Sequence, residues 1–261
     1  MTEAQWNVFC TFRDAFKKKC GEWSKFSSEL DSLQKTAASS DTPPYNIETP
    51  VVYNTALDDI TKDSVIKLIV IGDNPGKSEQ LAVNSKYLVG QAGKIAEGFF
   101  RRNPELKTDF RKNVIILNKT PVHSAKTKHL NFIDHELKSK DSKACNLILE
   151  SQIWMAQKTA ELHKALYDAA VQEGLSKSDL PELWLVGYAE LKKGGIFIPY
   201  KETLMKEYEG SDAWGKVFVF QHFSMNRFLV DLKQFCKENP DLKLTSAISK
   251  TGTIHKKEIF Q

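Results

Sequence analysis

An apolar run that ends abruptly on a turn constrains this chain more than any other feature. Val65 to Gln80 reads VIKLIVIGDNPGKSEQ. Ile66 to Ile71 is rich in β-branched residues and is bounded by turn signals, the pattern of a strand buried on both faces. Gly72-Asp73-Asn74-Pro75-Gly76 cannot continue it, because two glycines and a proline force the chain to turn. An acid and an amide are therefore presented at the carboxyl end of a central strand. In open α/β sheets that edge is where ligands bind.

Three further apolar segments repeat the pattern: NVIILN at 113–118, LWLVG at 183–187 and KVFVF at 216–220. Helical periodicity lies between them. A helix opens after Gly90 and Gly93 and runs to about Arg102, and a long one spans about Ala144 to Glu173 with Leu149, Ile153, Ala156, Ala160 and Leu166 on its buried side. Strands alternating with helices predict an α/β fold: a four-stranded parallel sheet with helices on both faces. Upstream, Trp6, Phe9, Phe12, Phe16 and Cys20, then Trp23, Phe26, Leu30 and Leu33, recur every three or four residues. They predict a helical lobe over residues 1–42, broken near Gly21 and packed as a cover on a single domain of residues 43–261. SSDTPPYNIETP reads as the linker between them. A last helix carries Phe228, Leu232 and Phe235, and the tail after Pro240 reads as polar and featureless.

At 261 residues and 41% hydrophobic, the chain can bury a sizeable core. No apolar stretch is long enough to suggest a membrane span, and MTEAQWNVFC lacks the basic start and apolar centre of a signal peptide, so a cytoplasmic protein is expected. Four cysteines without paired spacing argue against a zinc ribbon, a cluster or a disulfide framework; no metal or other cofactor is expected. Net charge is only +4, but Arg101 to Lys143 holds 11 Lys or Arg against 5 Asp or Glu. That stretch is either a solvated surface or a phosphate-contacting face.

The strand ends carry the candidate chemistry. Asp73 and Asn74 follow the first strand, Asn118 the second, His222 and Ser224 the fourth. An amide donates and accepts at once, which suits reading the edge of a planar heterocycle. A histidine can stabilise a leaving anion, and a carboxylate can orient water. Alone, each has an ordinary alternative: Asn118 as a turn cap, His222 as a near-core imidazole, Asp73 and Asn74 as stabilisers of their own turn. GDNPGKS also approaches a phosphate-binding P-loop. The first glycine of that motif should stand at 71, where the chain has Ile71, and Pro75 removes one amide from the cradle.

Taken together, these segments resemble the uracil-DNA glycosylase superfamily. IGDNPG is similar to its first motif, nearest the Gly-x-Asn-Pro-Gly form of the mismatch-specific and single-strand-selective branches. YLVGQAGK at 87–94 resembles the loop that follows in the thermostable iron–sulfur branch. VIILN at 114–118 resembles the strand presenting a base-reading asparagine, LVGYAELKKG at 185–194 the third strand and its exit, and HFS at 222–224 the His-Pro-Ser second motif. The likeness spans roughly residues 65 to 240 in conserved order. Leu88 stands where the iron–sulfur branch has a stacking aromatic, and Phe223 and Met225 replace prolines.

The resemblance implies excision of a deaminated base flipped out of DNA. It implies Asn74 or Asp73 as the water-positioning group and His222 as stabiliser of the departing base anion. Asn118 would read the base, within a pocket completed by Tyr87, Leu88, Gly72, Pro75 and Gly76. Ser224, Asn226, Arg227 and Lys119 would meet DNA, and the protein would act as a monomer. The alternatives are an inactive nucleic-acid-binding module of the same fold and a P-loop-like nucleotide-binding protein.

Overall fold

The structure, a computed structural model, describes residues 1–140 and 142–261. Strands β1 (Leu68–Gly72), β2 (Val114–Asn118), β3 (Glu182–Val186) and β4 (Val217–Phe220) form one parallel sheet in the order β2-β1-β3-β4. Each lies within two residues of its expected run. Apart from the half-buried Glu182, every strand residue is buried, which is why these segments read as continuous apolar runs rather than alternating ones. β1 is central, paired to β2 and β3, as its composition predicts.

The helices are α1 (Glu3–Trp23), α2 (Ser27–Ser39), α3 (Gln91–Arg102), α4 (His129–Ser139), α5 (Leu147–Gln172), α6 (Ile198–Glu207), α7 (Arg227–Glu238) and α8 (Leu244–Ile259). Thr2 and Gln5 form a reciprocal capping box that starts α1. Phe16 of α1 stacks on Trp154 of α5, and Trp23 meets the same indole edge-on. Phe9 and Phe16 are fully buried in the same continuous core as the sheet. Truncating either to alanine would cost about 3–5 kcal/mol.

Three expectations need correction. The N-terminal helix does not break at Gly21, which lies inside α1. The break falls at Ser24–Phe26, where the Ser24 hydroxyl donates back to the Cys20 carbonyl. On α5, Leu149 and Ile153 are only half-buried, and Ile148 and Gln152 face the core instead. The tail after Pro240 is not featureless: α8 packs along β4. Its Gly252 lies so close to the strand that a Cβ would stand 2.7 Å from Phe218 Cβ and 2.6 Å from the Phe220 ring. Small residues such as Ala247, Thr251 and Gly252 make this face. Ile248 and Ile259 are buried beside them, so close approach and apolar contact together hold the helix there.

Among the described residues, no helix is long and apolar enough to cross a membrane.

Candidate active site at the carboxyl edge of the sheet

Register brings the strand ends together. Gly72 pairs with Asn118, and Val186 with Phe220, so four chain exits leave one edge of the sheet at nearly one level. They enclose a cavity of about 700 Å³ whose walls include Asp73, Asn74, Asn118, Gly187, His222 and Arg227. Side chains separated by about 150 positions in sequence thus share one space.

Asp73 is almost buried, and its Oδ1 accepts from Lys119 Nζ at 2.5 Å. Gly187, left-handed at φ 96°, lies against the same carboxylate; a Cβ there would be 2.1 Å from Oδ1. Among the described residues, the one hydrogen-bond partner of Asp73 Oδ2 is the Thr127 hydroxyl, at 3.5 Å, whose hydrogen is shared with Asn74. Asn74 is held more fully. Its Nδ2 donates to Ser124 Oγ at 2.9 Å, to the Ser124 carbonyl at 3.2 Å and to the Pro75 carbonyl at 3.1 Å, while its Oδ1 accepts from Thr127 at 3.2 Å. The amide hydrogens are therefore committed, and one Oδ1 lone pair remains for a ligand.

The turn is supported from behind by His123. This buried imidazole must donate from Nδ1 to the Pro75 carbonyl at 2.9 Å, since a carbonyl only accepts, which leaves Nε2 to accept from the Tyr45 hydroxyl at 2.8 Å. Burial pushes the His123 pKa down to about 4, so the ring is neutral at pH 7.

Asn118 and His222 have the opposite character. Asn118 is 2% exposed, yet among the described residues its Nδ2 has no hydrogen-bond partner, an arrangement that costs free energy unless a ligand or a water supplies the acceptor. His222 Nδ1 accepts from the backbone N–H of Ser224 at 3.1 Å and contacts its hydroxyl at 2.7 Å. A backbone N–H can only donate, so the neutral ring carries its hydrogen on Nε2, on the cavity wall. Burial lowers the His222 pKa below its ordinary value, with Asp73 opposing the shift.

The remaining expected residues divide. Leu88 and Gly76 line the cavity, and Arg227 stands at its rim. Leu88 is held at a left-handed φ of 51°, and a Cβ on Gly93 would fall 1.4 Å from its carbonyl oxygen, so the glycine makes that bend possible. Gly72 and Pro75 contribute backbone beneath the cavity rather than its lining. Asn226 is exposed and left-handed at φ 56°, outside the lining, and the Ser224 hydroxyl is turned onto His222.

Two residues take different places altogether. Tyr87 is buried in the core, its hydroxyl donating to the Val52 carbonyl at 2.6 Å, and offers no face to the cavity. Lys119 is fully buried under the site and is not on a DNA-facing surface. Sequence reading also missed Ser124, Thr127 and Gly187 as site residues. The glycine after an apolar strand was the available signal for Gly187; nothing local marks Thr127.

Five of the 11 basic side chains of the Arg101–Lys143 stretch stand in surface ion pairs. Lys126 and Lys128 both pair with Asp41, Lys138 with Asp134, Lys140 with Glu136 and Arg111 with Glu97. In the P-loop-like GDNPGKS segment, the Gly76 N–H donates to the buried carboxylate of Glu79, at 2.5 Å, so that amide is not directed at an anion.

The fold and site together define a parallel α/β protein with a cavity at the carboxyl edge of its sheet, largely apolar in its walls and carrying a few convergent polar groups. No protein-family model, curated protein or solved structure matches the chain.

Proposed function

We propose that this protein is a DNA N-glycosylase that hydrolyses the bond between deoxyribose and a flipped, deaminated base such as uracil. The observation that carries the reading is that Asn118, whose buried Nδ2 has no hydrogen-bond partner among the described residues, and His222 line the same cavity as Asp73. Cleavage breaks the C1′–N bond with its electron pair leaving on the base. The sugar passes through an oxocarbenium-like state, and water adds at C1′. Asp73 Oδ2, with the free Asn74 lone pair, orients that water and Asp73 takes its proton. His222 donates from Nε2 to the base carbonyl oxygen as negative charge develops, and Asn118 pairs with the amide edge of the ring.

The test is incubation with oligonucleotides that each carry one uracil, hypoxanthine or other deaminated base, followed by alkali and by mass detection of free base. An alkali-labile site at the lesion, lost in Asp73→Ala/Asn74→Ala, supports the reading. Binding without cleavage across the whole panel would make the protein a nucleic-acid-binding module instead.

A further inference from the structure

Lys119 stands out because the mechanism above does not use it and its position is costly. The side chain is 0% exposed, and a buried ammonium is tolerated only when its donors are satisfied. All three have partners: Asp73 Oδ1 at 2.5 Å, the Val186 carbonyl at 2.5 Å and the Gly72 carbonyl at 3.4 Å. Its backbone N–H donates to the carbonyls of Gly72 and Asp73, and its ammonium lies 4.9 Å from the Phe197 ring centroid. One side chain, leaving the end of β2, therefore ties the ends of β1 and β3 to a single oxygen of the candidate base. Lys119 is not among the residues that line the cavity.

We propose that Lys119 is a positioning residue: it sets a cation against one oxygen of the Asp73 carboxylate and holds the group turned so that Oδ2 faces the cavity. This rests on the glycosylase reading above. The charged and titratable groups around the pair are few. His222 faces Asp73 from the exit of β4, Glu190 faces Lys119 from the exit of β3, and Arg227 at the start of α7 faces His222. Burial lowers the Lys119 pKa, and the charge and hydrogen bond of Asp73 oppose that shift.

Lys119→Met in the full-length protein tests the idea through the pH profile of cleavage. The expected result is a fall in kcat of about tenfold or more with KM little changed, and an acid limb displaced upward by about one pH unit or more. A loss of kcat with an unmoved acid limb would reduce Lys119 to a packing role and overturn the proposal. Borohydride trapping of an abasic oligonucleotide on Lys119 would also overturn it, because the amine would then be a nucleophile. A second measurement does not depend on cleavage or on folding of the methionine variant: side-chain NMR titration of Lys119 in wild type and Asp73→Asn. The ammonium is expected to titrate at lower pH in Asp73→Asn, and an unchanged midpoint would refute the coupling. Wild-type protein that cleaves no base while showing this shift would sink the glycosylase reading but leave the ion pair established.

Discussion

The backbone N–H of Ser224 donates to Nδ1 of His222 at 3.1 Å, and this contact two residues along the chain determines which ring nitrogen can act in the cavity. Because Nδ1 is an acceptor, Nε2 carries the hydrogen while the ring is neutral. Burial favours that neutral form. The residue is thus a neutral hydrogen-bond donor to developing charge. His222→Ala is expected to lower kcat by about 10²–10³ with a smaller effect on KM. The wild-type rate should not rise through this residue as pH falls from 8 to 6. Steady-state cleavage across that range checks both.

Asn118 and Gly72 are cross-strand partners, and their closeness gives a second test. A Cβ on Gly72 would stand 2.4 Å from Asn118 Oδ1. Gly72→Ala should therefore push the reading amide out of place and lower kcat/KM about tenfold or more, as should Asn118→Ala, in line with the about 1–3 kcal/mol at stake when a buried polar group loses its partner. Combined in one chain, the two losses should be less than additive. Full activity in Gly72→Ala would exclude Asn118 from base reading.

Gly187 combines left-handed backbone with contact to Asp73. Gly187→Ala would add about 1–3 kcal/mol of backbone strain and displace the carboxylate. A lower urea midpoint accompanied by lost cleavage is expected. A destabilised but fully active variant would separate Asp73 from the chemistry.

Two buried histidines predict the acid response of the fold. His123 and His163 are each fully buried, and burial brings both pKa values down to about 4 from an ordinary value of 6.5. Their protons bind better to the unfolded chain, so the stability they represent is present above about pH 6.5 and lost as pH falls toward 4. The loss is on the order of 3 kcal/mol for each. Urea unfolding at pH 7 and pH 4.5 measures it, and His163→Gln should flatten the dependence. An unchanged slope would show that this ring is not the group taking up the proton.

Ion pairing of Lys126 and Lys128 with Asp41 bears on DNA affinity. Those lysines are partly neutralised in the free protein, so Asp41→Ala should strengthen binding to an undamaged duplex and steepen its salt dependence. Fluorescence anisotropy between about 50 and 200 mM salt gives the slope. Identical slopes would place these lysines away from the backbone.

Much of the architecture was legible in the chain itself. Four buried strands announce themselves as apolar runs because both their faces are covered, and Gly72 to Gly76 announces a turn because no strand can contain it. Candidate residues at Asp73, Asn74, Asn118 and His222 follow from standing at or just beyond the carboxyl ends of those runs. Helix α8 escaped notice because its buried face mixes Ile248 and Ile259 with Ala247, Thr251 and Gly252, a weakly apolar stripe in a lysine-rich segment.

Tertiary structure alone decided how these residues are used. Lys119 and Tyr87 look like surface and pocket residues in sequence, but strand register and burial draw one beneath Asp73 and the other into the core. Thr127 and Gly187 enter the site only because separate strand exits finish at one level. A sequence determines which segments must leave water, since transfer free energy is local to each side chain. Which polar groups then face one another depends on contacts between distant segments, and the hydrogen of a single imidazole is assigned only when those contacts exist.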